Sequence, residues 1–329
     1  MKVLLVTSWN TQHGCGIEAH SRYLIDAVSQ ADPTITFVAS EDALNPTFAW
    51  DLANIYDVVH LNYQAALHSR WTPRVIRSLK EQYPDVKILV TYHDTGVPNS
   101  DQCKDVIAVA DAAVVHEAFT DLPKEKTHYW RQGVVEANGE QGERPWWSNA
   151  RPAVGTVGHD FGWKNVDKLC ELAKEVGWGV VFCTPQELEE ERLAQLKALN
   201  PWVKVYAGRH VHATIAALHE CQATAFLYVT HNTGTSGAIR LGIAARKPII
   251  ALRTCRQFRD LADDLDNPLG RRVINWCDTM EDVQHKLRSI TLGSFDAGIC
   301  ALAEQESWSH LGKKYAALYH HLVGLHVGV

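Results

Sequence analysis

The sequence of 329 residues contains no apolar run of the roughly eighteen residues that a membrane-spanning helix needs. It opens without a basic leader or a small-residue cleavage site, since KVLLVTSW at residues 2–9 is already strand-like. The expected location is therefore the cytoplasm. No CxxC pair occurs among the eight cysteines (Cys15, Cys103, Cys170, Cys183, Cys221, Cys255, Cys277 and Cys300), which argues against structural zinc and against a disulfide framework. Positive charge is not in excess either. A formal net charge of -6 and a pI near 6.3 disfavour nucleic-acid binding through the net field, although a local basic groove would escape this test. Repeats at solenoid period and low-complexity tracts are missing. What is present is the ordinary composition of a soluble globular protein, 46% hydrophobic and 21% charged, in a chain long enough for two domains.

Short apolar runs alternate with helical patterns. MKVLLVTSW, TITFVAS, YDVVHLNY, VKILVTYHD and AAVVHE read as buried strands, being short, rich in Val and Ile, and bounded by polar or turn residues. Helices are expected over 17–30, about 72–83 and about 101–110. EANGEQGERPWWSNARP, residues 136–152, interrupts the pattern with Gly, Pro and charge, and the domain boundary is expected there, with a first domain over 1–145. The alternation then restarts in RPAVGTVG, WGVVFCT, WVKVYAG, ATAFLYVT and KPIIAL, with helices near 165–176, 186–199, 212–220 and 236–246. This predicts a second Rossmann-like domain over 146–305. Trp308, Leu311, Tyr315, Leu318 and Leu322 fall on helical spacing and mark a closing helix within 306–329. The expectation is an α/β protein of two doubly wound domains facing across a cleft, with ligands at the carboxyl ends of the strands.

The candidate chemistry lies at those strand ends. In NTQHGCGIEAH, Gly14 and Gly16 permit a close backbone approach and precede a helix N-terminus that offers N–H groups to an anion or hydroxyl. A plain strand-to-helix turn is the alternative. GCGIEA also approximates a dinucleotide-binding turn, with Glu41 about where a ribose-binding acid would stand, but the inserted SWNTQH makes that loop long. His60 and Asn62 end one strand, and His93 with Asp94 ends the next; a neighbouring carboxylate could orient the imidazole toward a substrate hydroxyl. In GTVGHDFGWKN, Lys164 follows a strand-end glycine and could meet a diphosphate. Gly234, Thr235, Ser236 and Gly237 are expected to open a helix whose N-terminus suits an anion, with simple capping as the alternative. Arg240, farther into that helix, could reach a phosphate or pair with an acid.

These segments together resemble the retaining GT-B glycosyltransferases of the large family four, also called glycosyltransferase group 1. GCGIEAHSRYLIDAV resembles that family's glycine loop and first helix, and YDVVHLNY and VTYHD its N-domain strand ends. YWRQGV resembles the strand before its linker. VGTVGHDFGWKN, SGAIRLGIAARKPIIA and SWSHLGKKYAALYHHL resemble its phosphate loop, donor helix and crossing helix. The resemblance spans nearly the whole chain. It implies an acceptor-binding N-domain, a C-domain that binds a UDP- or GDP-linked sugar as substrate rather than any resident cofactor, and transfer with retention and without a bound metal. By position, Gly14 and Gly16 would approach the diphosphate or sugar, His93 would contact the donor sugar, and Lys164 would neutralise the leaving diphosphate with support from Thr235, Ser236 and Gly237. Arg240 would be an accessory donor contact.

The family pattern is not complete here. Its two donor-site glutamates are replaced: Gly234 stands near the first, Leu241 or Gly242 at the second, and His159 occupies a position where the family often has arginine. A noncatalytic nucleotide-sugar-binding relative and a NAD-dependent oxidoreductase therefore stand as alternatives. The acceptor could be a glycan, a lipid-linked glycan, a small metabolite or a modified DNA base. The acidic balance makes the last harder, because duplex binding leans on phosphate contacts.

Overall fold

The computed structural model describes residues 1–7, 16–40, 55–63, 72–93, 100–116, 122–137, 142, 150–229, 235–262, 269–290 and 296–325. Two six-stranded sheets organise the chain, and every pair of neighbouring strands in them is parallel. The first contains β1 (Lys2–Val6), β2 (Thr36–Ser40), β3 (Val58–Tyr63), β4 (Lys87–Tyr92), β5 (Ala112–Val115) and β6 (Thr127–Tyr129), in the order β2-β1-β3-β4-β5-β6. The second contains β7 (Ala153–Val157), β8 (Gly179–Thr184), β9 (Val203–Ala207), β10 (Ala223–Phe226), β11 (Ile249–Leu252) and β12 (Asn275–Cys277), in the order β12-β11-β10-β7-β8-β9.

The local reasons are visible in the sequence. VVHLNY of β3 and GVVFCT of β8 are buried at every position, as strands become when both faces of a parallel sheet are covered. The first sheet's core gathers Leu4, Val6, Ile76, Ile88, Val90, Val106 and Tyr92. The second sheet's core gathers Val154, Leu169, Val180, Phe182, Leu196, Ala225 and Ile250. Helices Gly16–Ala31, Thr72–Gln82 and Ser100–Val109 stand where periodicity placed them, as do Val166–Glu175, Glu190–Leu199, Val211–His219 and Gly237–Ala244. The helices Leu269–Val273, Met280–Ser289 and Ala297–Gln305 are not among those expected from periodicity, and the edge strands β6 and β12, three residues each, are too short for a clear apolar run.

The chain divides into two compact units: Met1–Gly133 with Thr233–Thr235 and Ser307–Val329, and Val134–Asn232 with Ser236–Glu306. The first unit thus ends at Gly133, ahead of the boundary expected at 145. Within the second unit the Val134 N–H donates to the Glu306 carbonyl at 2.7 Å.

The closing helix Trp308–Leu322 belongs to the first unit and packs along the first helix, Gly16–Ala31. Trp308, Leu311, Tyr315 and Leu318 are buried as their spacing predicted. Gly312 permits the contact, because a methyl group there would run into the Ala27 carbonyl. Two hydroxyls from this helix reach into the first sheet. Tyr319 Oη lies 2.6 Å from His60 Nδ1 and Tyr315 Oη 2.9 Å from Thr91 Oγ1, while His60 Nε2 lies 2.8 Å from the same Thr91 hydroxyl. At the helix's far end His320 pairs with Asp32 at 2.5 Å, which, with the Thr34 bonds, holds the Asp32 carboxyl at about 2.

Candidate functional site

In the second sheet, the strand order reverses beside β7, which lies between β10 and β8. Ligands of doubly wound sheets bind outside the carboxyl ends of the strands at such a reversal. Here β7 runs out into Gly158, whose φ of 129° only glycine adopts without strain. The chain then passes His159 and Phe161, whose rings stack at 5.4 Å, and turns through a single 3-10 turn, Gly162–Lys164. Asn165, left-handed at φ 53°, starts the next helix, and its amide donates to the Leu227 carbonyl at 2.8 Å, fastening the loop to the end of β10.

This loop buries the Lys164 side chain, which is only 9% exposed. Its Nζ stands 5.0 Å from the Tyr228 ring and 5.3 Å from the Trp163 ring. A Cβ on residue 158 would collide with that Nζ, so the glycine both makes the turn and clears space for the ammonium. Among the described residues no carboxylate or carbonyl is bonded to it. Burial without a counter-charge pulls its pKa down from 10.5 to about 8. A buried cation in this state gains from any anion that approaches it.

The other donor-side candidates separate. Ser236 caps helix Gly237–Ala244, and its hydroxyl bonds toward Tyr228 rather than to the helix backbone. Tyr228 in turn donates to the Val157 carbonyl at 3.0 Å, which joins the helix cap to the Lys164 loop within the second unit. Arg240 is buried and pairs with Asp260, the second of the two roles its position allowed. Thr235 falls in the first unit, its hydroxyl 3.2 Å from Gln132 Oε1. Gly234 lies outside the described residues.

In the first sheet the reversal lies between β1 and β3. Gly14 and Glu41 lie outside the described residues, and Gly16 is the first residue of the helix Gly16–Ala31. His93 follows β4 and is buried. Asp94 lies outside the described residues, and Asn62 Oδ1 meets His93 Nε2. Asn62 is itself fixed by bonds from its amide to the Ile17 carbonyl, 3.1 Å, and to Ser21 Oγ, 2.6 Å. His60 serves the closing helix instead, and burial keeps its pKa down at about 3.

Two residues that sequence reasoning passed over complete this end of the sheet. His20, on the first helix, places its ring 4.6 Å from that of His93 and 4.8 Å from the Trp308 indole. His116, just past β5, lies 4.9 Å from His93 and donates from Nδ1 to the Trp130 carbonyl at 2.8 Å. Nothing in their spacing signals this meeting. The one available hint was that His93 and His116 both end strands that prove to be neighbours in the sheet.

The two doubly wound units, each built on a six-stranded parallel sheet, match the GT-B fold. Solved structures agree. The chain is similar to the sucrose-phosphate synthase (tll1590) of Thermosynechococcus elongatus, with a TM-score of 0.66 and 13% identity over 98% of this chain and 99% of that one. It is also similar to the lipopolysaccharide outer core galactosyltransferase WaaB, with a TM-score of 0.62 and 11% identity over 97% and 99%. Anabaena Alr3699/HepE, solved with UDP and glucose, matches with a TM-score of 0.58 and 12% identity over 98% and 96%. By sequence, no family model matches the chain. No curated protein matches it either.

Proposed function

We propose that this chain is a glycosyltransferase that moves a sugar from a UDP- or GDP-linked donor to an acceptor, with retention of configuration and without a metal ion in the transfer step. The observation that carries the reading is the buried Lys164 ammonium, set at a strand-order reversal beside a helix N-terminus. As the bond between the anomeric carbon and the diphosphate breaks, its electron pair stays on the departing oxygen. A fixed ammonium, desolvated beforehand, stabilises that developing charge more than the intact donor. The N–H groups of the first turn of Gly237–Ala244 add to the same effect. The fold shared with transferases, one of them solved with UDP and glucose, supports the donor class. In this reading His93, held by Asn62, contacts the donor sugar.

Thermal unfolding in the presence of nucleoside diphosphates and nucleotide sugars tests the proposal. A ligand at 100 times its Kd stabilises the folded state by about 2.7 kcal/mol. The expected result is a selective rise in Tm with one donor base, abolished in Lys164→Ala while the unliganded Tm is kept. Donors that shift neither protein would overturn the reading. With the donor known, a glycan, lipid-linked glycan, metabolite and modified-DNA panel identifies the acceptor, and NMR of the product shows whether the anomeric configuration is retained.

A further inference from the structure

The three histidines at the carboxyl end of the first sheet come from three different elements: the first helix, the end of β4 and the end of β5. One nitrogen from each ring can be chosen so that all three lie within 4.8 Å of one another, and all three side chains are buried. Tetrahedral zinc with Zn–N bonds of 2.0–2.1 Å holds its ligand nitrogens about 3.4 Å apart, a separation that small ring rotations reach. The partners of the rings prepare them as ligands. Trp130 offers a carbonyl, which can only accept, so His116 Nδ1 carries the proton and Nε2 the lone pair. The Asn62 amide nitrogen faces the Ile17 carbonyl, so its oxygen faces His93, His93 Nε2 donates, and Nδ1 is left with a lone pair. This is the arrangement in which a ligating imidazole donates its other N–H to an outer acceptor. His20 Nδ1 has no hydrogen-bond partner among the described residues, in a side chain only 2% exposed.

We infer that His20, His93 and His116 form a binding site for one zinc-class divalent cation, in which three imidazoles ligate and one coordination position is left to water or another small ligand. Imidazole ligands suit zinc, cobalt, nickel and copper rather than magnesium or calcium. The site is independent of the transferase reading. If that reading also holds, metal and donor sugar compete for His93, and zinc inhibits transfer.

The test uses the full chain stripped with a chelator and titrated with Co2+, whose visible bands report its ligands. One Co2+ per chain, displaced by Zn2+, with X-ray absorption showing three imidazole nitrogens at about 2.0 Å, is the expected result. His116→Gln and His20→Gln should each weaken binding at least about 10-fold. Circular dichroism of the metal-free variants checks that they fold. Lack of stoichiometric binding would overturn the site, as would folded variants that bind Co2+ like the parent. If the variants fail to fold, the ligand count in the parent protein decides. None of these readouts requires a sugar, so the transferase proposal can fail while the metal site stands, and the reverse.

Discussion

At the scale of single residues, Lys164 shows how a position becomes legible. A lysine a few residues past a strand-end glycine is a recognisable pattern, and the structure adds what the pattern lacks, namely depth and the missing counter-charge. Its pKa of about 8 has a kinetic consequence. In the proposed transferase, free of donor, the ammonium is lost as pH rises through that value, so kcat/KM for the donor should fall about tenfold per pH unit above about 8. Lys164→Ala should lose most of the rate and, with it, this alkaline limb. If the residual activity of the variant kept the same limb, another group would own the titration. Arg240 was half legible: its charge was evident, but its partner Asp260, in a stretch without periodicity, was not. His20 and His116 were illegible for a different reason. Only the strand order brings together residues nearly a hundred positions apart, and no spacing encodes that order.

At the scale of elements, the strands were readable wherever both faces are buried, because such strands are continuous apolar runs. β6 and β12, three residues each at the sheet edges, lack that signature. The closing helix was readable from its stripe, but the tyrosines on it do more than fill space. Tyr319, His60, Thr91 and Tyr315 form a buried polar chain that joins the helix to β3 and β4. Such chains are stabilising only while every member is satisfied. Tyr319→Phe keeps the ring and removes one hydroxyl, leaving His60 Nδ1 buried without its partner. The expected cost is about 1–3 kcal/mol in urea denaturation, with little change in m-value. A loss below a few tenths of a kcal/mol would show that water replaces the hydroxyl and that the helix is held by its apolar face alone. Activity measured below the transition should change less than stability, since His60 serves the helix and not the proposed donor contact.

For the whole molecule, two buried neutral histidines in the first unit make folding depend on pH. The sign follows from their depressed values. In the unfolded chain each imidazole takes up a proton near pH 6.5, whereas in the fold His60 resists protonation down to about 3 and His20 is also held well below its ordinary value. Between those limits the unfolded state binds more protons, so stability is full above pH 6.5 and drains away as pH falls. At pH 5 the contribution of His60 alone amounts to a loss of about 2 kcal/mol, and His20 adds to it. The window from pH 7 to 5 leaves out carboxylates such as that of Asp32, held at about 2, which are still ionised there in both states, while His128, held below its ordinary value by partial burial, acts in the same direction as His60 and His20. Denaturation midpoints measured across the window should fall steadily in the parent protein. His60→Gln, destabilised at pH 7, should show a shallower slope and converge on the parent toward pH 5. Parallel slopes would mean that the acid sensitivity lies elsewhere, in His20, His128 or the other unit. Bound zinc at the three-histidine site should steepen the parent's curve further, since protons then compete with metal for His20, His93 and His116 as well.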